Sequence, residues 1–199
     1  MEYAVAKKYA EKLCDWLGPV VERVEIAGSI RRLCPRVNDI DLVVIPKVTE
    51  EKDLMGVVVS RRNLCLEFLQ GYVRERNPCG GKIGKHPYFI SGGEREGKQV
   101  LMWLAKGQCQ LDLWFADAGT WATRLLCRTG SVFHNRWMGD RAGLKGLHWN
   151  PYEGLTNVDT AEVVEFEGEE GFYAVLGLGF IEPKNREMEW IQKNLDFGL

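Results

Sequence analysis

A chain of 199 residues, 45% hydrophobic and 27% charged, has room for one domain plus a small appendage and the composition of an ordinary globular protein. Its formal net charge of −2 argues against a protein held permanently on nucleic acid, and the absence of an apolar run of ~18 residues argues against a membrane-spanning helix. Six scattered cysteines with no C-x-x-C pair, and three histidines far apart, point to reduced thiols and against a structural zinc site.

Residues 2–17 place Val5, Ala6, Tyr9, Ala10, Leu13, Trp16 and Leu17 at helical spacing, which predicts an amphipathic helix ended by Gly18-Pro19. The opening residues lack the apolar core of a signal peptide, so the expected compartment is the cytoplasm, or a host's cytoplasm if the source is a virus. Val20 to Ala27 alternates apolar and charged residues and predicts a half-buried strand. Gly28-Ser29 breaks that strand and opens a short helix. The β-branched run from Ile40 to Ile45 predicts a buried strand closed by Pro46. Residues 62–76 read as helical and then extended, and the Gly- and Pro-rich stretch 77–97 reads as a hairpin or loop. Two further strands are expected at 98–104 and 108–115, then helices at 118–128 and 131–142 separated at Thr129-Gly130. A small mixed region follows, ending in a helix near 187–196. The fold class is therefore α+β: a mixed sheet with flanking helices over 1–117, followed by a small, mostly helical subdomain over 118–199.

Three stretches carry chemistry. In a strand, residues two apart face the same way, so Asp39 and Asp41 present two carboxylates to one side. Two such acids repel, and one protonates unless a cation joins them; hard divalent ions take oxygen ligands. Asp112, flanked by Leu111, Leu113, Trp114 and Phe115, is costly in so apolar a strand unless satisfied, and it supplies a third carboxylate. Gly28 allows close approach of backbone to a phosphate, Ser29 adds a hydroxyl, and Arg32, with Arg31 beside it, offers a fork that matches phosphate oxygens. An anion cradle next to a metal cage is what phosphoryl transfer from a metal-bound triphosphate requires.

Gly28-Ser29, then Asp39-x-Asp41, then a lone Asp112 on a later strand resembles the signature of DNA polymerase beta-like nucleotidyltransferases. Thr129-Gly130-Ser131 with Asn135 four residues on is similar to the thumb motif of family X DNA polymerases. The tail Phe180-Ile181-Glu182-Pro183-Lys184-Asn185-Arg186-Glu187 resembles that family's C-terminal signature, so the likeness runs from about residue 20 to residue 187. The resemblance implies a nucleotidyltransferase palm followed by a thumb-like subdomain. It implies template-directed addition of nucleotides to a primer 3′-hydroxyl, in short-gap filling or DNA repair. A pair of Mg²⁺ ions would serve, with Mn²⁺ as a substitute. Asp39 and Asp41 would hold both metals, and Asp112 would hold the catalytic one and accept the primer hydroxyl's proton. Gly28, Ser29 and Arg32 would grip the triphosphate. Thr129, Gly130 and Ser131 would complete the nucleotide site, with Asn135 touching the sugar or base edge. The partners would be nucleoside triphosphates and DNA, as primer–template or gapped duplex, with no membrane and a monomeric state.

Departures from the family pattern shape these expectations. Cys127 and Arg128 stand where an aromatic pair excludes ribose, Gln110 stands where an Arg precedes the third Asp, and Gly139 stands where a thumb Arg probes the template. One helix precedes residue 20, so the lyase domain and the DNA-binding fingers of larger members are not expected, and the form is minimal. The basic stretch Arg124, Arg128, Arg136, Arg141 and Lys145 would then hold the duplex. Trp137 and Trp149 are core residues or flank the nucleotide, His134 is a surface or supporting residue, and Asn150 and Tyr152 help shape the pocket. The alternative is a nucleotidyltransferase acting on another acceptor, an RNA end or a protein hydroxyl. A non-catalytic nucleic-acid-binding protein would need all three acids to be structural.

Overall fold

The computed structural model describes residues 1–76, 90–92, 99–104 and 109–194. A five-stranded sheet runs in the order β1-β2-β7-β6-β5, built from β1 (Val21–Ile26), β2 (Asp39–Pro46), β5 (Ile90–Gly92), β6 (Gln99–Leu104) and β7 (Cys109–Phe115). β2 and β7 are parallel and the other neighbours antiparallel, so the sheet is mixed as expected. β2 is buried on both faces, which explains its unbroken β-branched sequence. Ile40, Leu42 and Val44 join Leu111, Leu113 and Phe115 on one face, under α1 (Tyr3–Leu17) and α3 (Leu64–Arg76). Val43 joins Trp114 and Ala116 on the other, under Trp121 and Leu125 of α4 (Trp121–Thr129). Helix α1 meets the sheet through Ala6, Ala10 and Leu17, and the two alanines let the backbones approach closely. Leu42 and Leu113 are wholly buried, and each such side chain stabilises the fold by about 2 kcal/mol.

The stretch expected to turn from helix to strand over 62–76 is helical from Leu64 to Arg76. Asn63 caps it, its Oδ1 accepting from the Leu66 amide at 2.9 Å, and Cys65 and Leu69 are buried. Before it lies an unexpected hairpin, β3 (Val48–Lys52) paired with β4 (Val58–Asn63). Its strands are exposed, so no apolar alternation marks them in the sequence. The loop expected over 77–97 lies outside the described residues except for β5.

Beyond the sheet, α4 is followed by α5 (Val132–Leu144), the hairpin β8 (Leu147–Asn150) with β9 (Gly154–Asn157), α6 (Gly168–Val175) and α7 (Met188–Asn194). Leu126, Trp137, Met138, Leu155, Phe172 and Tyr173 form a second core there. Helix α4 serves both bodies: Trp121 and Leu125 face the sheet, while Leu126 faces the second core.

Candidate active site

The turn after β1 is dictated by its neighbour. Gly28 has φ +57°, and a Cβ on it would lie 2.1 Å from Asp41 Oδ2, so only glycine fits. The Ala27 amide donates to the Asp41 carbonyl at 2.9 Å and ties the turn to β2. One helical turn, α2 (Gly28–Arg31), follows, and the Ser29 Oγ is buried beside it with no hydrogen-bond partner among the described residues. An unsatisfied buried hydroxyl calls for an acceptor from outside the chain.

Asp39 lies opposite Gln110 and Asp41 opposite Asp112 in the parallel β2–β7 pairing, so the three predicted acids share one region of one sheet face. Burial pushes the Asp41 carboxyl up to about 7; a Trp114 hydrogen bond opposes this, and the Asp39 and Asp112 charges add to it. Asp112 is raised as well, chiefly by burial, against a hydrogen bond from Gln110. The donor set suits a hard divalent cation in kind, and such an ion would relieve the repulsion. The cage is not preformed: no three His, Cys, Asp or Glu side chains among the described residues are gathered to hold a metal. Two of the acids turn to protein donors instead, Asp41 Oδ1 to Trp114 Nε1 at 3.2 Å and Asp112 Oδ1 to Gln110 Nε2 at 2.7 Å.

Facing Asp39 and Asp41 across a cleft of about 750 Å3, which Asp112 does not line, is the loop between α4 and α5. The cleft is lined by Gly28, Ser29, Arg32, Asp39 and Asp41 on one wall, and by Gly130, Ser131 and Asn135 on the other. Gly130 has φ +70°, its would-be Cβ falls 3.1 Å from Arg32 Nη1, and the Gly130–Ser131 peptide is cis. Thr129 departs from expectation. It is fully buried, its Oγ1 accepts from Arg31 Nη1 at 2.7 Å, and its carbonyl accepts from Arg32 Nη1. Ser131 caps α5 and donates its hydroxyl to the Arg186 carbonyl at 2.6 Å, so that hydroxyl is committed to the protein. Arg31 does not reach the cleft; its Nη2 meets Glu169 Oε2 at 2.5 Å, and Glu169 Oε1 takes Arg186 Nη1 at 2.8 Å. Burial alone would raise Glu169, but the Arg31 hydrogen bond and the Arg186 charge hold it below the usual carboxylate range. Arg32 lines the cleft while its Nε pairs with Glu187 at 2.6 Å.

Asn135 donates Nδ2 to the Cys127 carbonyl at 2.7 Å, which leaves Oδ1 toward His134 Nδ1 at 3.4 Å. His134 is buried, not on the surface, with Nε2 2.6 Å from the Tyr173 hydroxyl, and burial, reinforced by Arg186, pushes it down to about 3. Neutral His134 thus donates from Nδ1 and accepts at Nε2. Trp137 and Trp149 belong to the second core and do not line the cleft.

Residues 124–187 match the family model of the DNA polymerase beta thumb. No curated protein matches the chain. Among solved structures, Leishmania infantum polymerase beta in a ternary P/T complex is similar at TM-score 0.64 and 18% identity, over 94% of this chain and 76% of that one. The same enzyme in a ternary gap complex is similar at TM-score 0.64 and 18% identity, over 93% of this chain and 69% of that one. The chain has the polymerase beta fold.

The palm-and-thumb reading of the motifs is thereby borne out, in the thumb by sequence and over the whole chain by fold. The thumb's basic residues divide in a way the sequence did not suggest. Arg124, expected on a DNA-facing surface, is 3% exposed, with its guanidinium 3.9 Å from the centre of the Tyr152 ring. Arg128 lies 3.3 Å over the Trp114 ring of the palm and donates to the Tyr152 hydroxyl at 3.0 Å. Arg136 is exposed and Arg141 half-buried on α5, and Lys145 is exposed just past its end. Tyr152 therefore braces the two inner arginines and does not line the cleft. Sequence reasoning left three charged cleft residues without a role in the site: Arg36, Lys184 and Glu187. The signals were available, since Arg36 lies three positions before Asp39 and the other two belong to the tail motif.

Proposed function

We propose that this chain is a polymerase beta-like nucleotidyltransferase that adds nucleotides to a primer 3′-hydroxyl under template direction, filling short gaps in DNA. What carries the reading is the cleft between palm and thumb, where the Gly28-Ser29 turn and the acids of β2 face the Gly130–Asn135 loop. The division into a palm over 1–117 and a thumb over 118–199 is part of this proposal; the sheet ends at Phe115 and α4 begins at Trp121.

In this reading Asp39, Asp41 and Asp112 would hold Mg²⁺, after Asp41 and Asp112 release Trp114 and Gln110. Bound there, the metal supplies charge neutralisation at the phosphates and acidifies the attacking hydroxyl. The protein's own part is positioning. The Gly28 turn brings backbone close to the triphosphate, the Ser29 hydroxyl gains an acceptor, and the remaining Arg32 nitrogen faces the phosphate oxygens. Asp112, its proton affinity raised by burial, takes the proton of the primer hydroxyl. Asn135, its amide oriented by the Cys127 carbonyl and His134, reads the sugar or base edge. Duplex would lie along Arg136 and Arg141 of α5 and Lys145 at its end.

Primer extension on a one-nucleotide-gapped duplex tests this, with each dNTP and each NTP offered separately with Mg²⁺ or Mn²⁺. Template-directed addition that disappears in Asp112→Ala is the expected result. Failure of the wild type to extend, with nucleotide still bound, overturns the polymerase reading. It would favour transfer to an RNA end or a protein hydroxyl, a reading that the non-aromatic Cys127 and Arg128 at the cleft wall support.

A further inference from the structure

Four cations line the cleft, Arg32, Arg36, Arg128 and Lys184, and two of them are largely spoken for. Arg32 gives Nε to Glu187 at 2.6 Å and Nη1 to the Thr129 carbonyl. Arg128 lies flat on Trp114, 3.3 Å from the ring centre, and donates to Tyr152. Arg36 and Lys184 are both exposed, and neither side chain has a hydrogen-bond or ion-pair partner among the described residues.

Both are nonetheless rooted in fixed backbone. The Arg36 segment is pinned to the start of α1 by a bridge to Glu2, by the Tyr3 amide on the Pro35 carbonyl at 3.2 Å, and by the Val37 amide on the Met1 carbonyl at 2.9 Å. Lys184 sits in the turn Pro183–Asn185, held against the palm by Glu187, whose Oε1 takes Arg32 Nε at 2.6 Å and the Cys34 thiol at 3.2 Å. The unsatisfied Ser29 hydroxyl marks the buried floor of the same cleft. Satisfying the buried hydroxyl and both free cations together calls for an anion with several charged groups.

We propose that Arg36 and Lys184, which both line this cleft, hold the terminal phosphates of a nucleoside triphosphate, and that this pair makes the cleft selective for triphosphate over monophosphate. The assignment rests on the nucleotidyltransferase reading above and specifies which of its side chains count the phosphates. Two released cations cost no ion pair on binding, whereas Arg32 would have to share Glu187.

The test is isothermal titration of dATP, dADP and dAMP, each with Mg²⁺, into the full chain, into Arg36→Gln, into Lys184→Gln and into the double variant. The wild type should prefer dATP to dAMP. Each single change should weaken dATP about tenfold and leave dAMP within about twofold, so that the preference collapses in the double variant. Unchanged melting temperatures and unchanged affinity for a gapped duplex should accompany the loss. A preference for dATP that survives in the double variant overturns the assignment. So does a loss confined to duplex affinity, which would give these cations to the nucleic-acid backbone. Wild-type protein that binds none of the three nucleotides removes the assignment and the polymerase reading together. Collapse of the preference in a protein that fails to extend primers removes the polymerase reading alone.

Discussion

Asp41 stands where burial and two neighbouring acids disfavour its charge, and its carboxyl is pushed up to about 7 from an ordinary 3.8. As pH rises the unfolded chain gives up this proton before the folded one does. The contribution to stability is therefore whole below about 4 and lost as pH climbs through about 7. Thermal melts in chelator from about pH 5 to about pH 8 should show the melting temperature falling up to about pH 7 and levelling above it, and Asp41→Asn should remove most of that fall. A slope that persists in the variant would place the titration elsewhere. Added Mg²⁺ should oppose the fall, because a cation favours the ionised carboxylate. The parity of Asp39 and Asp41 was legible in the sequence, since strand alternation fixes it. The rotamers that turn Asp41 to Trp114 and Asp112 to Gln110 were not, because they depend on donors brought in by packing.

At the scale of elements, the joint between palm and thumb is an ion triad as well as an apolar contact. Arg31 of α2 and Arg186 of the tail both grip Glu169 of α6, and Arg186 is wholly buried. Glu169→Gln leaves two guanidinium groups without their counter-charge and should cost about 3–5 kcal/mol in urea unfolding. A loss within about 0.5 kcal/mol would mean that water, not Glu169, satisfies them. Sequence reasoning sent Arg31 toward phosphate together with Arg32. Adjacent helical residues point some 100° apart, so only one of two neighbouring arginines can face a cleft, and composition does not say which. The central strands β2 and β7 were readable because burial on both faces leaves a dense apolar run. Hairpin β3–β4 was not, for its exposed strands carry no such pattern. Helix α6 was not singled out within the small mixed region, because its acids and Gly168 and Gly171 obscure the helical pattern, although Phe172 and Tyr173 anchor it in the thumb core.

For the molecule as a whole, the net charge of −2 leaves little general attraction for DNA, so any grip must be local. With Arg124 inside and Arg128 on Trp114, the proposed duplex contacts are Arg136, Arg141 and Lys145. Replacing all three by Gln should weaken gapped-duplex binding and shallow the slope of log affinity against log salt by about 2–3. An unchanged slope would mean that the duplex lies elsewhere.

Partners remote in sequence also join the two bodies: Arg32 meets Glu187 across 155 positions, and Arg31 meets Glu169 across 138. On the ribosome, the Gly28 turn and the strand acids emerge well before the tail that walls them in. Until Lys184 and Glu187 arrive, a nascent palm displays its acids to solvent with one side missing. If the cleft takes a nucleotide as proposed, the order of synthesis would withhold capture until the thumb has docked.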